Sequence, residues 1–261
     1  MRTVLICHAG DDLNRIGTAR WLASFTDLAG IVIIEEGGLS TWRRVRYEVR
    51  RSGWLRFLDV LAFRVYYRLF LASADHQQEQ AILADICSRY PELSASTRIF
   101  RTPTPNSPET ARFLRECTPD LVIARCKVLL KESIFTLPRA GTFVLHPGIC
   151  PEYRNAHGCF WALANRDLSN VGLTLLKIDR GIDTGPVYGY YRYAFEEAIE
   201  SHIVIQHRSA FENLDSIAEK LREIQQGVAQ PMDIDGRTGA VWGQPWLSTY
   251  LRWKRQAGRR R

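Results

Sequence analysis

The chain has 261 residues, 46% of them hydrophobic, and a formal net charge of +7. This size and composition predict one large domain with or without a small appendage. The positive charge fits an anionic partner, such as a nucleotide, a polyglutamyl tail, nucleic acid or an acidic membrane, or simply a basic enzyme. The six cysteines include no C-x-x-C pair, which disfavours a cysteine-based metal site and indicates reduced thiols in a cytoplasmic protein.

The N-terminal half alternates between apolar strands and amphipathic helices. Continuous apolar strands of this kind are typical of parallel sheets covered by helices on both faces. Ser107, Pro108 and Glu109 form a helix start. The predicted strands are Thr3–Cys7, Ala29–Ile34, Arg98–Phe100, Asp120–Ala124 and Thr142–Leu145. Helices are expected after Thr3–Cys7, over Asp75–Arg89, from Ser107 to Cys117 and over Lys131–Thr136.

A basic, aromatic stretch at about residues 39–72 interrupts this alternation, and Ser52-Gly53 divides it into two predicted helices. It could be a surface helix pair for a membrane or an acidic ligand. It could instead be an insertion that packs its apolar stripe on the domain and keeps its arginines in water. We favour the insertion, because long aromatic-rich helices usually bury their stripe. Charges such as Arg56, Asp59 and Arg64 exclude a membrane-spanning helix.

The C-terminal half is predicted to hold a helix after His157, two strands (Val171–Ile178 and Val187–Tyr193) and one long helix from about Ile203 to Gln226, which Gly227 ends. The fold class is therefore α/β, with a mostly parallel, doubly wound sheet, a helical insertion, and a C-terminal helix plus short tail. Residues 1–200 form the main domain, and residues 201–261 pack on it. No targeting segment is expected at the N-terminus.

Two residues could carry acid–base chemistry. His146 follows directly on a predicted central strand, at the carboxyl edge where open α/β sheets place their ligands. Asp183 lies in a turn that Gly181 and Gly185 bracket. A carboxylate beside an imidazole stabilises its protonated form, which suits general acid–base catalysis. Taken singly, such a histidine or aspartate is more often structural.

The order of motifs between Pro119 and Val187 resembles that of the folate-dependent formyltransferase family. The stretches that carry the resemblance are PDLVIA (119–124), LLKESI (129–134), HPGICPEYR (146–154), WALAN (161–165), VGLT (171–174) and IDRGIDTGP (178–186). The resemblance implies a Rossmann-like catalytic domain over residues 1–200. It also implies that 10-formyltetrahydrofolate supplies a formyl group, which an amine attacks.

The family's catalytic constellation is Asn-x-His together with the aspartate of the later turn. His146 and Asp183 occupy matching positions, which implies that His146 relays the amine proton and Asp183 orients and charges the ring. Val144 stands where the family has asparagine, and valine has no donor for a developing oxyanion. Asn155 and His157 are candidate replacement donors, although Asn155 could equally be a turn residue.

The resemblance also implies which segments bind ligands. Pterin recognition falls mainly on backbone groups, and Arg125 and Lys127 could meet a glutamate tail or be solvated surface charges. The cofactor-binding candidates are Ala124, Arg125, Cys126, Lys127, Val128, Leu129, Leu130, Ile178, Asp179, Gly181 and Asp183. The substrate-binding candidates are His8, Gly10, Asp11, Asp12, Tyr153 and Arg154. Two aspartates would repel a phosphate, which disfavours glycinamide ribonucleotide.

The sequence therefore predicts an enzyme that transfers a formyl group from 10-formyltetrahydrofolate to a small amine, such as a nucleotide-linked amino sugar or an amino acid. One alternative is a 10-formyltetrahydrofolate hydrolase. Another, suggested by Val144, is a catalytically inactive homologue that binds folate or a nucleotide. No pattern for the β-barrel domain of the initiator-tRNA formylating members is present. We expect no metal, no nucleic acid and no membrane partner, and the sequence leaves the oligomeric state open.

Overall fold

A seven-stranded sheet forms the centre of the computed structural model, which describes residues 1–35, 49 and 53–259. The strands of these residues are β1 (Arg2–His8), β2 (Asp27–Ile34), β3 (Arg98–Thr102), β4 (Leu121–Arg125), β5 (Gly141–His146), β6 (Tyr153–Asn155), β7 (Leu173–Lys177), β8 (Val187–Tyr191) and β9 (Ala240–Trp242). The order in the sheet is β3-β2-β1-β4-β5-β7-β8. The first five strands are parallel, and β7 and β8 continue the sheet in antiparallel fashion. β6 and β9 form a small parallel pair of their own.

The apolar runs of the sequence become strands that are buried on both faces. In β1, Leu5 and Cys7 face one apolar cluster with Trp21, whereas Val4 and Ile6 face a second cluster on the other side of the sheet. Since successive side chains of a strand point to opposite faces, only a continuous apolar run can serve two helical layers. The predicted Rossmann-like, mostly parallel α/β fold is confirmed.

The helices of the described residues follow the predicted signals closely. Ser107 caps its helix, since its Oγ accepts a hydrogen bond of 3.1 Å from the Thr110 N–H, and Pro108 is the first helical residue. The α-helices are α1 (Ala19–Phe25), α2 (Trp54–Tyr66), α3 (Ala72–Arg89), α4 (Pro108–Cys117), α5 (Glu132–Phe135), α6 (Gly158–Ala164), α7 (His202–Phe211), α8 (Leu214–Gln226) and α9 (Leu247–Gly258). A π-helical turn over Leu13–Thr18 precedes α1.

The prediction of a single helix from Ile203 to Gln226 is wrong, because the helix is interrupted between α7 and α8. Asn213 stands at the break, and its Nδ2 donates to the carbonyls of Ser209 and Arg192. An asparagine side chain that bonds the backbone in this way competes with helix continuation. Gly227 ends α8 with a φ of 76°, as predicted. The sequence analysis did not foresee β9 or α9.

The basic stretch is only partly described, and the first of its two predicted helices lies outside the described residues. The second is α2, which begins after Gly53 and runs through a π-helical turn (Tyr67–Leu71) into α3. Val60 and Phe63 are buried, whereas Arg64 and Arg68 are exposed. The expectation that the apolar stripe is buried is wrong for the outer side of α2, because this helix has apolar residues on two faces and only one of them meets the domain. In the described part of the chain, no helix is long and apolar enough to cross a bilayer.

Candidate active site

His146 and Asp183 lie together at the carboxyl edge of the central sheet. His146 is the last residue of β5 and is 4% exposed. Its Nδ1 lies 3.4 Å from Oδ2 of Asp183, and its Nε2 donates to the carbonyl oxygen of Tyr153 at 2.8 Å. Both ring nitrogens are therefore engaged. Because a carbonyl can only accept, the hydrogen on Nε2 is fixed there, and Nδ1 is the ring atom at which a proton can be gained or lost.

Asp183 is held by the backbone of the loop that follows His146. Its Oδ2 accepts a hydrogen bond of 2.7 Å from the Asn155 N–H, a contact that fixes the orientation of the carboxylate. Asp183, Asn155 and His157 all have left-handed backbone, with φ of 51°, 71° and 60°. Non-glycine residues in this region carry strain of roughly 1–3 kcal/mol each and cluster at functional sites. This strain, at the position of the His146–Asp183 pair, supports a functional role for the loop.

Two glycines allow the loop between residues 147 and 158 to fold back on His146. A Cβ on Gly148 would lie 2.8 Å from the Cα of Gly158 and 2.8 Å from the carbonyl oxygen of Tyr153. That carbonyl is the acceptor of the His146 hydrogen bond. Any side chain at Gly148 would push apart the backbone segments that fix the ring of His146.

Val144 faces the same side of β5 as His146, because the two residues are two positions apart. It is half-buried and packs against Cys150, Leu176 and Val187. Burial raises the pKa of the Cys150 thiol, the charge of Asp183 raises it further, and the charge of Arg154 lowers it. Val144, at the position where the resemblance to the formyltransferase family implies an asparagine, thus lies in an apolar contact.

The replacement donors differ in availability. Nδ2 of Asn155 already donates to the carbonyl of Trp242 in β9, at 2.5 Å. His157 lies among aromatic rings, and burial lowers its pKa to about 4. Nε of Arg154 is buried and has no hydrogen-bond partner in the part of the chain that the structure describes. Arg154 is therefore a donor candidate that the sequence analysis had assigned only to substrate binding.

The two predicted pterin-binding segments meet at the same edge of the sheet. Ile178 packs in one cluster with Cys126 and Val128, and Arg180 donates to Glu132 at 2.8 Å. Lys127 and Leu129 are exposed, and Leu129 is 66% exposed.

Two of the predicted cofactor-binding side chains serve the fold instead. Arg125 turns inward, where its guanidinium donates to Oδ1 of Asn14 and to the carbonyl of Leu145. Asp179 accepts from the Gly181 N–H and from the Thr184 hydroxyl, so its carboxylate holds the turn together. Neither side chain faces outward to a glutamate tail.

The predicted substrate-binding residues lie in two places, one group at the end of β1 and the other in β6. His8 lies at the end of β1, beside Gly10, and its Nε2 accepts from the Lys127 N–H at 3.0 Å, which ties β1 to the loop after β4. Asp11 accepts from the backbone and side-chain N–H groups of Asn14, and Asp12 pairs with Arg15 at 2.6 Å. The Tyr153 ring is buried, stacks on Trp242, and donates its hydroxyl to Asp167. Tyr153 therefore serves the site through its carbonyl and not through its side chain.

A group of three histidines lies beside the site, and the sequence analysis named only one of them, His157. We call His157, His202 and His207 the histidine cluster. His202 is 1% exposed and packs between the rings of Phe63 and Phe160. Burial lowers the pKa of all three histidines. They come from a loop and a helix about 50 residues apart in the chain, and no local motif marks them.

Comparison with known proteins shows that this chain is similar to formyl transferases. Residues 71–197 match the family model described as formyl transferase. The methionyl-tRNA formyltransferase of Caldanaerobacter subterraneus subsp. tengcongensis is 30% identical over 127 residues, which are 48% of this chain and 40% of that protein. The methionyl-tRNA formyltransferase of Bacteroides fragilis is 34% identical over 125 residues, 45% of this chain and 38% of that protein. The aligned part of this chain thus spans about two fifths of the length of these curated relatives.

Solved structures agree on the fold. Phosphoribosylglycinamide formyltransferase from Anaplasma phagocytophilum superposes with a TM-score of 0.54 at 14% identity, over 93% of this chain and 99% of that one. A sugar N-formyltransferase from a Shewanella species gives a TM-score of 0.52 at 13% identity, over 92% of this chain and 77% of that one. The family match and the shared fold coincide with the segment that holds His146 and Asp183. Residues 71–197 of this chain are therefore similar to the formyl transferase family.

Proposed function

We propose that the chain transfers a formyl group from 10-formyltetrahydrofolate to a small amine. The observation that carries this proposal is the pair of His146 and Asp183, 3.4 Å apart at the carboxyl edge of the sheet and inside the family-matched segment. Formyl transfer to an amine needs a group that removes the amine proton and a group that stabilises the resulting charge. The pair meets the first requirement.

In this proposal the proton moves at Nδ1 of His146. The Nε2–H group keeps its hydrogen bond to the Tyr153 carbonyl oxygen. This bond fixes the ring, so the ring does not need to turn during transfer. The carboxylate of Asp183, oriented by the Asn155 N–H, stabilises the ring once it is protonated. The side chain of Asp183 is 18% exposed, which leaves this edge within reach of a bound amine.

The loop after β4 fits the formyl donor. Within the described residues, the backbone N–H groups of Val128 and Leu129 donate no hydrogen bond, and the Leu129 side chain is exposed. A pterin ring has hydrogen-bond acceptors at its edge and an apolar face, and these groups could engage both. Lys127 is an exposed cation of this loop and would meet a glutamate tail. When bound, 10-formyltetrahydrofolate would supply the formyl group.

The amine acceptor would lie at the end of β1. Asp11 and Asp12 lie there, and their carboxylates suit the amine end of an acceptor and disfavour a phosphate at that same end. We propose a nucleotide-linked amino sugar or an amino acid as the acceptor class. Arg154 would supply the donor that Val144 lacks, because its Nε is buried without a partner in the described part of the chain.

A second candidate is a homologue that binds folate without transferring the formyl group. The contact of Val144 with Cys150, Leu176 and Val187 favours it, since an apolar group here cannot stabilise an oxyanion.

The two candidates separate in one experiment. The full chain is incubated with 10-formyltetrahydrofolate and a panel of amino sugars and amino acids, and mass spectrometry follows the gain of one formyl group while absorbance follows release of tetrahydrofolate. Formylation of one acceptor that is lost in Asp183→Asn supports the proposal. Calorimetric binding of a stable formyl-folate analogue without any product supports the second candidate, and tetrahydrofolate release with formate alone indicates a hydrolase. Absence of binding would exclude all three.

A further inference from the structure

The outer face of α2 and of the turn that follows it is apolar and exposed. Seven large apolar side chains on this segment have exposed fractions between 45% and 85%. Seven others are found over the whole remainder of the described residues. The exposed set on this segment is Trp54, Leu55, Leu58, Leu61, Val65, Leu69 and Phe70. A concentration of this kind marks an interaction surface, whereas scattered exposed residues do not.

These residues form a stripe along the helix. Trp54, Leu58, Leu61, Val65 and Leu69 follow one another at spacings of four, three, four and four residues, which keeps them on one face. We call these five residues the outer stripe. It borders a shallow groove of about 460 Å³ that α9 closes at Leu247.

The opposite face of α2 is fixed to the domain. Phe63 packs between the rings of Phe160 and Tyr250. Asp59 accepts a hydrogen bond of 3.0 Å from the Ser248 N–H, and the Arg56 guanidinium lies 5.0 Å from the ring centre of Trp246. Because these contacts hold the helix from behind, the outer stripe cannot roll inward to bury itself. It faces outward as part of a rigid surface.

Positive charge lies beside the outer stripe. Arg64 and Arg68 are exposed and, at helical spacing, lie along one edge of the stripe. On α9, which closes the groove, Arg252 and Arg255 are exposed, and the sequence of this helix contains no acidic residue. An apolar face bordered by arginines is the composition of helices that lie in the interface of an anionic bilayer.

The charge also decides between a bilayer and a second copy of the chain. In a symmetric dimer that pairs two antiparallel outer stripes, the arginines of both copies would lie along the same edge, and like charges at an interface disfavour association. An anionic bilayer instead accepts the apolar side chains at the headgroup boundary and offers phosphates to the arginines. We propose that the outer stripe binds the surface of anionic phospholipid membranes, with α2 parallel to the membrane plane.

This proposal reverses the expectation that the basic stretch has no membrane partner. That expectation assumed that the apolar stripe is buried, and for this reason it favoured a packed insertion over a membrane-surface helix pair. A helix lying in the interface leaves Arg64 and Arg68 at the headgroups, so their position on the flank of the stripe favours binding.

Vesicle flotation of the full chain tests the proposal directly. With phosphatidylcholine vesicles that contain phosphatidylserine, we expect the chain to float, and with phosphatidylcholine alone we expect binding to be weaker by more than about 30-fold, because Arg64 and Arg68 alone contribute about that factor near an anionic surface. Leu58→Asp with Leu69→Asp should abolish flotation. Arg64→Gln with Arg68→Gln should weaken binding to anionic vesicles by about 30-fold.

Val228→Asp is the matched control, because Val228 is 64% exposed and Leu69 is 69% exposed, and Val228 lies after α8, outside the outer stripe. It should float like the unchanged chain, and circular dichroism checks that all variants are folded. Equal binding to neutral and anionic vesicles, or no binding at all, overturns the proposal. Sedimentation that gives a dimer without lipid, and a monomer for the Leu58→Asp, Leu69→Asp variant, assigns the stripe to a second copy instead. A monomer in which the thiol introduced by Leu61→Cys resists a thiol-labelling reagent assigns the outer stripe to another segment of the same chain. Formyl transfer is not measured in any arm, so the outcome is independent of the proposed activity.

Discussion

His146 and His202 are both almost fully buried, but their surroundings differ. His146 has a carbonyl at one ring nitrogen and a carboxylate 3.4 Å from the other. His202 packs among the rings of Phe63, Phe160 and Tyr250, and its Nδ1 has no hydrogen-bond partner in the described part of the chain. A nearby carboxylate supports the charged ring, whereas apolar burial disfavours it. The comparison teaches that the partners of a buried histidine, and not its burial, determine whether it can handle protons.

The largest effect is expected on turnover when the pair at His146 is broken. Asp183→Asn keeps the shape of the side chain and an acceptor for the Asn155 N–H, but it removes the charge that stabilises the protonated ring. General acid–base groups contribute about 100- to 10,000-fold, so formyl transfer should fall within that range. Steady-state kinetics with the identified acceptor measure the loss.

His202→Phe serves as the control for Asp183→Asn, because it changes a histidine of the apolar surroundings and should leave turnover near the unchanged value. If both variants lost turnover equally, the contrast between the two histidines would be wrong.

The histidine cluster should make the fold sensitive to acid. Burial lowers the pKa of His157 from its ordinary value of 6.5 to about 4, and it also lowers the pKa of His202 well below 6.5. As the pH falls below 6.5, the unfolded chain takes up protons that the folded chain refuses. Stability is therefore lost between about pH 6.5 and pH 4, by about 3 kcal/mol for His157 alone.

Urea unfolding at a series of pH values measures this loss, and His202→Phe should make it smaller. Burial raises the pKa of Asp75 and Glu79, so these carboxyls oppose the trend by favouring the folded state in acid. Stability that stays constant from neutral pH to about pH 5 in the unchanged chain would contradict the neutral state of the cluster.

Val144→Asn tests whether the His146–Asp183 pair lacks only a hydrogen-bond donor for the oxyanion. The amide would face Cys150 and Leu176, so we expect a stability loss of about 1–2 kcal/mol unless it finds partners. If Arg154 already stabilises the oxyanion, turnover should hardly change, and Arg154→Met should reduce it in the chain with Val144. A large gain of activity in Val144→Asn would instead show that the unchanged chain lacks a donor.

Tyr153→Phe is expected to have the smallest effect. Tyr153 contacts the site through its backbone, since its carbonyl oxygen accepts a hydrogen bond from His146, and its ring packs on Trp242. Loss of the hydroxyl removes one hydrogen bond to Asp167, at a cost of about 1 kcal/mol in stability. Turnover should not change, because the backbone carbonyl is retained. A loss of activity larger than the loss of stability would show that the hydroxyl also contacts the substrate.

The order of the motifs in the sequence predicted two residues of the site. His146 follows a recognisable buried strand, and Asp183 stands in a glycine-flanked turn, so both could be chosen without coordinates. Arg125 and Tyr153 were chosen by their place in the same segments, but their side chains turn into the fold. Local sequence predicts where a backbone segment runs and does not decide which way a long side chain on it points, since that depends on partners from distant segments such as Asn14 and Trp242.

By itself, the sequence determined the order along the chain of the seven strands of the central sheet and of the helices between them, because apolar periodicity and capping residues such as Ser107 act within one turn or one strand. It also determined that His146 would lie at the carboxyl edge of the sheet. Only the tertiary structure decided that Asn155 holds Asp183 in place, that burial lowers the pKa values of the histidine cluster, and that one apolar face of α2 is exposed to solvent. These outcomes depend on desolvation and on contacts between segments far apart in the chain, and neither is encoded in the spacing of neighbouring residues.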